Sequence, residues 1–248
     1  MSKKETSLNT PDPAGIATPL PDFLVGTAGV GNEAVTAQDV TFPRIGIIQA
    51  LSPEIQKDHA KFIPGAQTGD LFDTLTRKIV PQPMRLLDCY FQKTFGVFKN
   101  RDAGGGFRGQ FADQASAEKF VASDPQGSLL EIVDTGIHVC LLLDADMRPV
   151  TEAIVMFTKT KQKVSRQINA ILKGKGVARC ATLWEVTTVG ETNSKNQPYY
   201  NFKFTDMGFI QDKALFDRAM RLYNDVKDRT VSAADAGDTD DVPDADRF

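Results

Sequence analysis

Between Glu152 and Glu185 the chain carries Lys159, Lys161, Lys163, Arg166, Lys173, Lys175 and Arg179 and not one acidic residue. Such a stretch sets up a positive potential, and a phosphate backbone laid along it would release condensed counterions. A solvated helix face is also rich in lysine, but acids are usually interleaved there, and here they are absent. A second stretch runs Tyr90-Phe-Gln-Lys-Thr-Phe-Gly-Val-Phe-Lys-Asn-Arg101 and continues after two residues as Gly104-Gly-Gly-Phe-Arg-Gly109. It interleaves aromatic rings with Lys93, Lys99, Arg101 and Arg108. Nucleic-acid bases stack on such rings whatever their identity, at about 1 to 3 kcal/mol each, while neighbouring cations follow the phosphates. Period-2 alternation assigns Phe91 and Phe95 to a core, which leaves Tyr90, Phe98 and Phe107 as the stacking faces.

Other chemistries fit less well. A phosphate-binding P-loop needs Gly-Lys-Ser/Thr at a helix start, whereas Gly106 is followed by Phe107 and Arg108. Asp144, Asp146, Glu152 and Lys159 could be imagined as a metal-dependent nuclease cluster, but Asp144 and Asp146 flank a turn, where Asp is favoured for its own backbone hydrogen bonds. Cys89, Cys140 and Cys180 are odd in number, far apart and without a C-x-x-C pair, and only His59 and His138 could assist them. They are expected to fill core positions rather than bind metal. No catalytic residue, metal or cofactor is therefore expected, and the chain is not expected to be an enzyme.

The elements that must position these residues read as mainly β with a few helices. Phe42 to Leu51 is a β-branched run, Ser52 to Gly69 a long loop, and Asp70 to Thr76 a short ordered element. Met84 to Lys99 is a half-buried strand, Arg101 to Gly109 a Gly-rich loop, and Asp113 to Ala122 a short helix capped by Asp113. Ser128 to Leu143 and Pro149 to Thr158 form a hairpin through the Asp144–Asp146 turn. A helix over Lys163 to Lys173 buries Val164, Ile168, Ile171 and Leu172, presents Lys163, Arg166 and Lys173 opposite, and ends at Gly174. Residues 177–188 and 198–210 alternate again as strands, and a last helix over Lys213 to Lys227 closes the body. Strand following strand favours an α+β fold with an antiparallel barrel or sandwich over a parallel sheet.

Composition sets the boundaries. Residues 1–38 are rich in Ser, Thr, Pro, Gly and Ala, and 231–248 hold six Asp against Arg247, so both are expected to be disordered tails around one domain at 39–230. The formal net charge of -3 divides unevenly. The C-terminal segment carries -5, leaving 28 basic and 26 acidic residues and a body of +2. No run of about 18 apolar residues exists to span a membrane, and the start, Met-Ser-Lys-Lys-Glu-Thr, shows no secretory signal, so a cytoplasmic location is expected.

The last residues, Asp238-Thr-Asp-Asp-Val-Pro-Asp-Ala-Asp-Arg-Phe248, combine clustered acid with an aromatic that can enter an apolar pocket while the carboxylates meet surrounding bases. This segment resembles the tails of bacterial and phage single-stranded DNA-binding proteins, departing from them at Arg247. Residues Phe95 to Gly109 and Phe157 to Leu172 are similar to a group of phage replication-region proteins. The resemblance implies an OB-like antiparallel β-barrel and partner docking by Asp240, Asp241, Asp244, Asp246 and Phe248. It further implies single-stranded DNA as ligand and a replication protein, such as a polymerase or helicase, as partner, in the host cytoplasm. Homo-oligomerisation is left open. The competing expectations are a phage structural or assembly protein and a metal-dependent nuclease of recombination.

Overall fold

The computed structural model describes residues 42–100, 103–193, 196–228 and 231, together with 30, 31, 33 and 34. The chain divides into two units, Met1–Val40 and Thr41–Phe248. In the first, the described residues form a turn in which the Gly31 N–H donates to the Glu33 carboxylate at 3.0 Å. The two tails expected to be disordered, with Asp240, Asp241, Asp244, Asp246 and Phe248, lie outside the described residues except for those four and Val231, and so does Arg101.

The second unit is organised by one long strand, β4 (Met84–Lys99). Along one edge it pairs antiparallel with β6 (Leu130–Leu143) over its whole length. Its other edge is shared. Residues 84–87 pair with β8 (Thr182–Thr192) and residues 95–98 with β5 (Phe107–Phe111). The sheet continues through β7 (Pro149–Thr158) beside β6 and β9 (Pro198–Phe209) beside β8. The mainly β, α+β expectation therefore holds, with every strand pairing antiparallel. The barrel does not close: the path runs β7-β6-β4-β8-β9 and ends on two edges. A small second sheet, β1 (Ile45–Ile47), β2 (Leu71–Asp73) and β3 (Ile79–Val80), packs on the main one.

Both faces of the large sheet are covered, and the sequence shows why. On one face Leu86, Cys140, Val155, Phe157, Trp184 and Phe202 pack with Val164, Ile168 and Leu172 of α2 (Gln162–Lys175) and with Ile45, Ile47 and Leu71 of the small sheet. On the other, Leu87, Cys89, Val139, Leu141 and Ile154 meet Leu215, Ala219, Leu222 and Val226 of α3 (Lys213–Val226). The third helix, α1 (Gln114–Ser123), begins as expected at Asp113, whose carboxylate accepts the Ser116 N–H at 2.8 Å. With two buried faces, the paired stretches Ile137–Leu143 of β6 and Ala153–Phe157 of β7 are apolar almost throughout rather than alternating.

Local differences from the sequence reading have identifiable causes. A β-bulge between Asp88 and Tyr90 shifts the register, so Leu87, Cys89 and Tyr90 all pack towards α3, and the phase of β4 reverses beyond it. Phe91 and Phe95, expected in the core, are consequently only half-buried. The Gly-rich segment is not loop throughout: Gly104, Gly105 and Gly106 supply three positive φ angles, the Lys99 N–H donates to the Gly106 carbonyl, and Phe107–Phe111 returns as β5. α2 continues past Gly174 and stops at Gly176, whose φ of 66° forms the left-handed cap. The first strand is confined to Ile45–Ile47, and the strand expected from 177 begins only at Thr182, after a 3-10 turn at Arg179–Ala181.

Candidate nucleic-acid interface

Folding brings acids from elsewhere in the chain to most of the acid-free stretch. Lys159 pairs with Glu131 at 3.3 Å, Lys163 with Glu191 at 2.7 Å, Lys175 with Asp206 at 2.7 Å and Arg179 with Asp88 at 2.8 Å. Lys161 is buried, with its ammonium 5.6 Å from the centre of the Phe202 ring. Arg166 and Lys173 remain, both exposed on the outer stripe of α2 that Lys163 shares, with no ion-pair partner among the described residues. The linear run of cations is thus reduced in space to a short stripe.

The aromatic stretch lies elsewhere. Phe98 and Phe107 face each other across the β4–β5 hairpin with ring centres 5.4 Å apart, and both are half-buried. Lys99 is half-buried on the same hairpin, and the exposed Arg108 reaches Gln126 at 3.4 Å. Tyr90 packs beside Tyr223 on the α3 face, its hydroxyl donating to the Lys227 carbonyl. Lys93 pairs with Asp134 at 3.2 Å and sits 5.0 Å from the Phe95 ring centre. The β4–β5 aromatics Phe98 and Phe107 pack against each other, and neither lines the groove beside α2.

What α2 does border is a groove of about 520 Å³ against β8 and β9. Gln167, Ala170 and Ile171 form the helical side together with Lys163; Val189, Glu191, Lys203 and Phe204 form the strand side, with Trp184 and Phe202 behind them. Phe204 is half-buried and stacks within an aromatic group, 5.9 Å from Trp184 and 6.3 Å from Phe202 between ring centres. Lys203 is exposed and has no ion-pair partner among the described residues. Ile171, 42% exposed, and Val189, 38% exposed, add apolar surface. The Trp184 indole N–H is buried without a hydrogen-bond partner among the described residues. Glu191, Lys203 and Phe204 were missed because they lie 12, 24 and 25 residues beyond Arg179, the last of the cationic stretch; the alternation of 198–210 marked a strand but not its neighbour.

Beneath α2 lies a buried polar network that also went unnoticed. His138 Nδ1 is 2.7 Å from Asp88 Oδ2, and its Nε2 is 2.7 Å from Ser165 Oγ. Arg179 donates to Asp88 at 2.8 Å and to Asn169 at 2.6 Å, and its guanidinium lies over the Phe91 ring. The His138 ring is held edge-on between Phe91 and Phe157. Burial would raise the Asp88 carboxyl, but the attraction and hydrogen bonds of His138 and Arg179 outweigh it and hold the group below the usual carboxylate range. An Asp–His–Ser chain of this order resembles a hydrolytic triad in connectivity. Asp88, His138 and Ser165 are each no more than 1% exposed, however, so no substrate reaches the hydroxyl in this conformation. Its evident role is to pin α2, through Ser165 and Asn169, to β4 and β6. The visible signal was an Asp and a His each set in an apolar strand.

The nuclease cluster does not assemble. Asp144 Oδ1 accepts the Asp146 and Arg148 N–H groups of its own turn, and Glu152 is engaged by Arg218 at 2.6 Å. Among the described residues no three His, Cys, Asp or Glu side chains converge as a metal site. The three cysteines are buried, and burial raises each thiol above its ordinary range. No helix of the described residues is long and apolar enough to cross a membrane.

Fold and surface define an α+β protein with an open antiparallel sheet, on which helix α2 builds a groove lined by aromatic and cationic side chains. It is a phage-type protein: the family described as Pam3 phage gp34-like protein matches residues 13–232, and the chain belongs to that family. No curated protein and no solved structure matches it.

Proposed function

We propose that the protein binds single-stranded DNA with little sequence preference, in the groove between α2 and β8–β9. The observation that carries this reading is the groove's composition: a half-buried Phe204 backed by Trp184 and Phe202, with Lys203 on the strand side and Lys163 on the helix side, on a helix that also exposes Arg166 and Lys173. Rings offer a base-tolerant stacking surface and unpaired cations offer sites for phosphate, the combination found where single strands are held without base reading. The ligand thereby moves from the β4–β5 hairpin, where the aromatics are mutually packed, to α2. Within this reading the protein protects DNA during phage replication or recombination, and the acidic segment with Asp240, Asp241, Asp244, Asp246 and Phe248 recruits replication partners.

The test uses anisotropy of labelled oligo(dT) across a potassium chloride series, with quenching of Trp184, the chain's single tryptophan, as a second readout. Each phosphate neutralised contributes about -0.7 to the slope of log K against log salt. Replacing Arg166, Lys173 and Lys203 together by Ala should flatten that slope by up to about 2, from the same per-phosphate value. Phe204→Ala should weaken binding by about 1 to 3 kcal/mol with the slope unchanged. Absence of binding at low salt, or a slope indifferent to the triple variant, refutes the proposal.

A further inference from the structure

At the groove, three donors converge on a single oxygen. Glu191 Oε2 receives the Lys163 ammonium at 2.7 Å, the Asn201 amide at 3.1 Å and the Tyr199 hydroxyl. The donors come from α2 and from β9, and two of them are fixed: Asn201 is fully buried and Tyr199 is 9% exposed. Glu191 Oε1 has no partner among the described residues, and the side chain is 24% exposed, so it has a path outward. An ordinary surface ion pair joins two mobile groups and is worth little. Here one partner enters a preformed set of one cation and two neutral donors, the kind of set that accepts a phosphate oxygen equally well. Burial would raise the Glu191 carboxyl, yet the bonds from Lys163, Tyr199 and Asn201 prevail and keep it ionised below its usual range.

We propose that Lys163 Nζ, Tyr199 OH and Asn201 Nδ2 form a phosphate subsite, which Glu191 fills with its own carboxylate until a phosphodiester of the bound strand displaces it. The inference rests on the nucleic-acid reading of the groove and assigns one of its contacts. Displacement exchanges one monoanion for another, so Lys163 keeps a partner throughout and contributes little counterion release. Glu191 thereby acts as a built-in competitor that lowers affinity and makes the groove less responsive to salt than its cations alone would dictate.

Glu191→Gln tests this directly, since the amide keeps an acceptor for Tyr199 and Asn201 while freeing Lys163. Oligo(dT) should bind about tenfold tighter at low salt, the lower end of what one hydrogen bond to a charged group contributes, and the slope should steepen by about 0.7. Adding Lys163→Ala should abolish both gains. Glu191→Ala, which empties the subsite, should behave like Glu191→Gln; if both bind with wild-type affinity and slope, the subsite is overturned. Inorganic phosphate supplies an arm independent of DNA. At constant ionic strength it should raise the melting temperature of Glu191→Gln but not that of the Lys163→Ala/Glu191→Gln double variant. If wild type and variants all ignore oligo(dT) while this phosphate effect appears, the DNA reading falls and the subsite stands. If the phosphate effect is also missing, both fall. A gain seen only with 5′-phosphorylated oligo(dT), and not with its 5′-hydroxyl form, sustains the subsite with a terminal phosphate as its ligand.

Discussion

Replacing Asp88 by Asn removes one negative charge from the centre of the molecule without changing its volume. The carboxylate has no exposed surface and makes two charge-assisted contacts, 2.7 Å to His138 and 2.8 Å to Arg179. Breaking a buried pair by removing one partner costs about 3 to 5 kcal/mol, because the surviving cation is left uncompensated. Arg179 retains 22% side-chain exposure and can recruit water, so the lower end, about 3 kcal/mol, applies. For a body of this size a kilocalorie shifts the melting temperature by about 2 to 4 °C, which puts the expected loss at about 6 to 12 °C near neutral pH. The pH dependence follows from the direction of the shift. The folded Asp88 carboxyl lies below its unfolded value of about 3.9, so its stabilisation is complete above that value and disappears as pH falls through the folded one. The gap between wild type and Asp88→Asn should therefore close as pH falls from about 5 to below about 4, by the same linkage. Thermal unfolding by circular dichroism across that range measures it, and hydrogen exchange should show α2 loosening first. A neutral-pH loss under about 1 kcal/mol, typical of a surface pair, or a gap that persists undiminished in acid, would refute the assignment of Asp88 as the charged anchor of α2.

Two further outcomes are expected. Gly136→Ala would place a Cβ 2.9 Å from Ser165 Oγ and 3.3 Å from the Phe91 ring, beneath α2, and should destabilise by about 1 to 3 kcal/mol in urea unfolding; unchanged stability would mean that α2 shifts freely. Deleting residues 232–248, which carry six Asp and one Arg, should tighten oligo(dT) binding at low salt, with a gain that shrinks as salt rises. Equal affinity of the truncated protein at low salt would reduce that segment to a solubilising extension.

Most of the fold was legible because its elements obey local rules. The Asp113 cap, the Asp144–Asp146 turn, the amphipathic stripe of α3 and the β-branched hairpin of β6 and β7 are each dictated by residues that are neighbours in the sequence. The errors lie where a single residue changes the geometry. A bulge at Cys89 is invisible to period-2 counting, since one extra residue on one strand reverses every face beyond it. The barrel was inferred from the order of strands along the chain. Closure depends on whether β7 and β9 meet, and that is set by twist and by which edges the helices and the β1–β3 sheet occupy.

The proposed binding surface was half legible for a different reason. Counting acids between Glu152 and Glu185 measures charge along the chain, whereas potential depends on charge in space, and Glu131, Asp88, Glu191 and Asp206 all arrive from other strands. What survives this neutralisation is informative because it is selective. Lys159, Lys175 and Arg179 are drawn into pairs that tie helix and strand ends to the sheet, while Arg166 and Lys173 stay exposed on the outer stripe of α2 with no ion-pair partner among the described residues. The aromatic lining of the α2 groove and its cations Lys163 and Lys203, together with the Asp88–His138–Ser165 anchor that fixes the helix at its edge, make it the surface on which function should be tested.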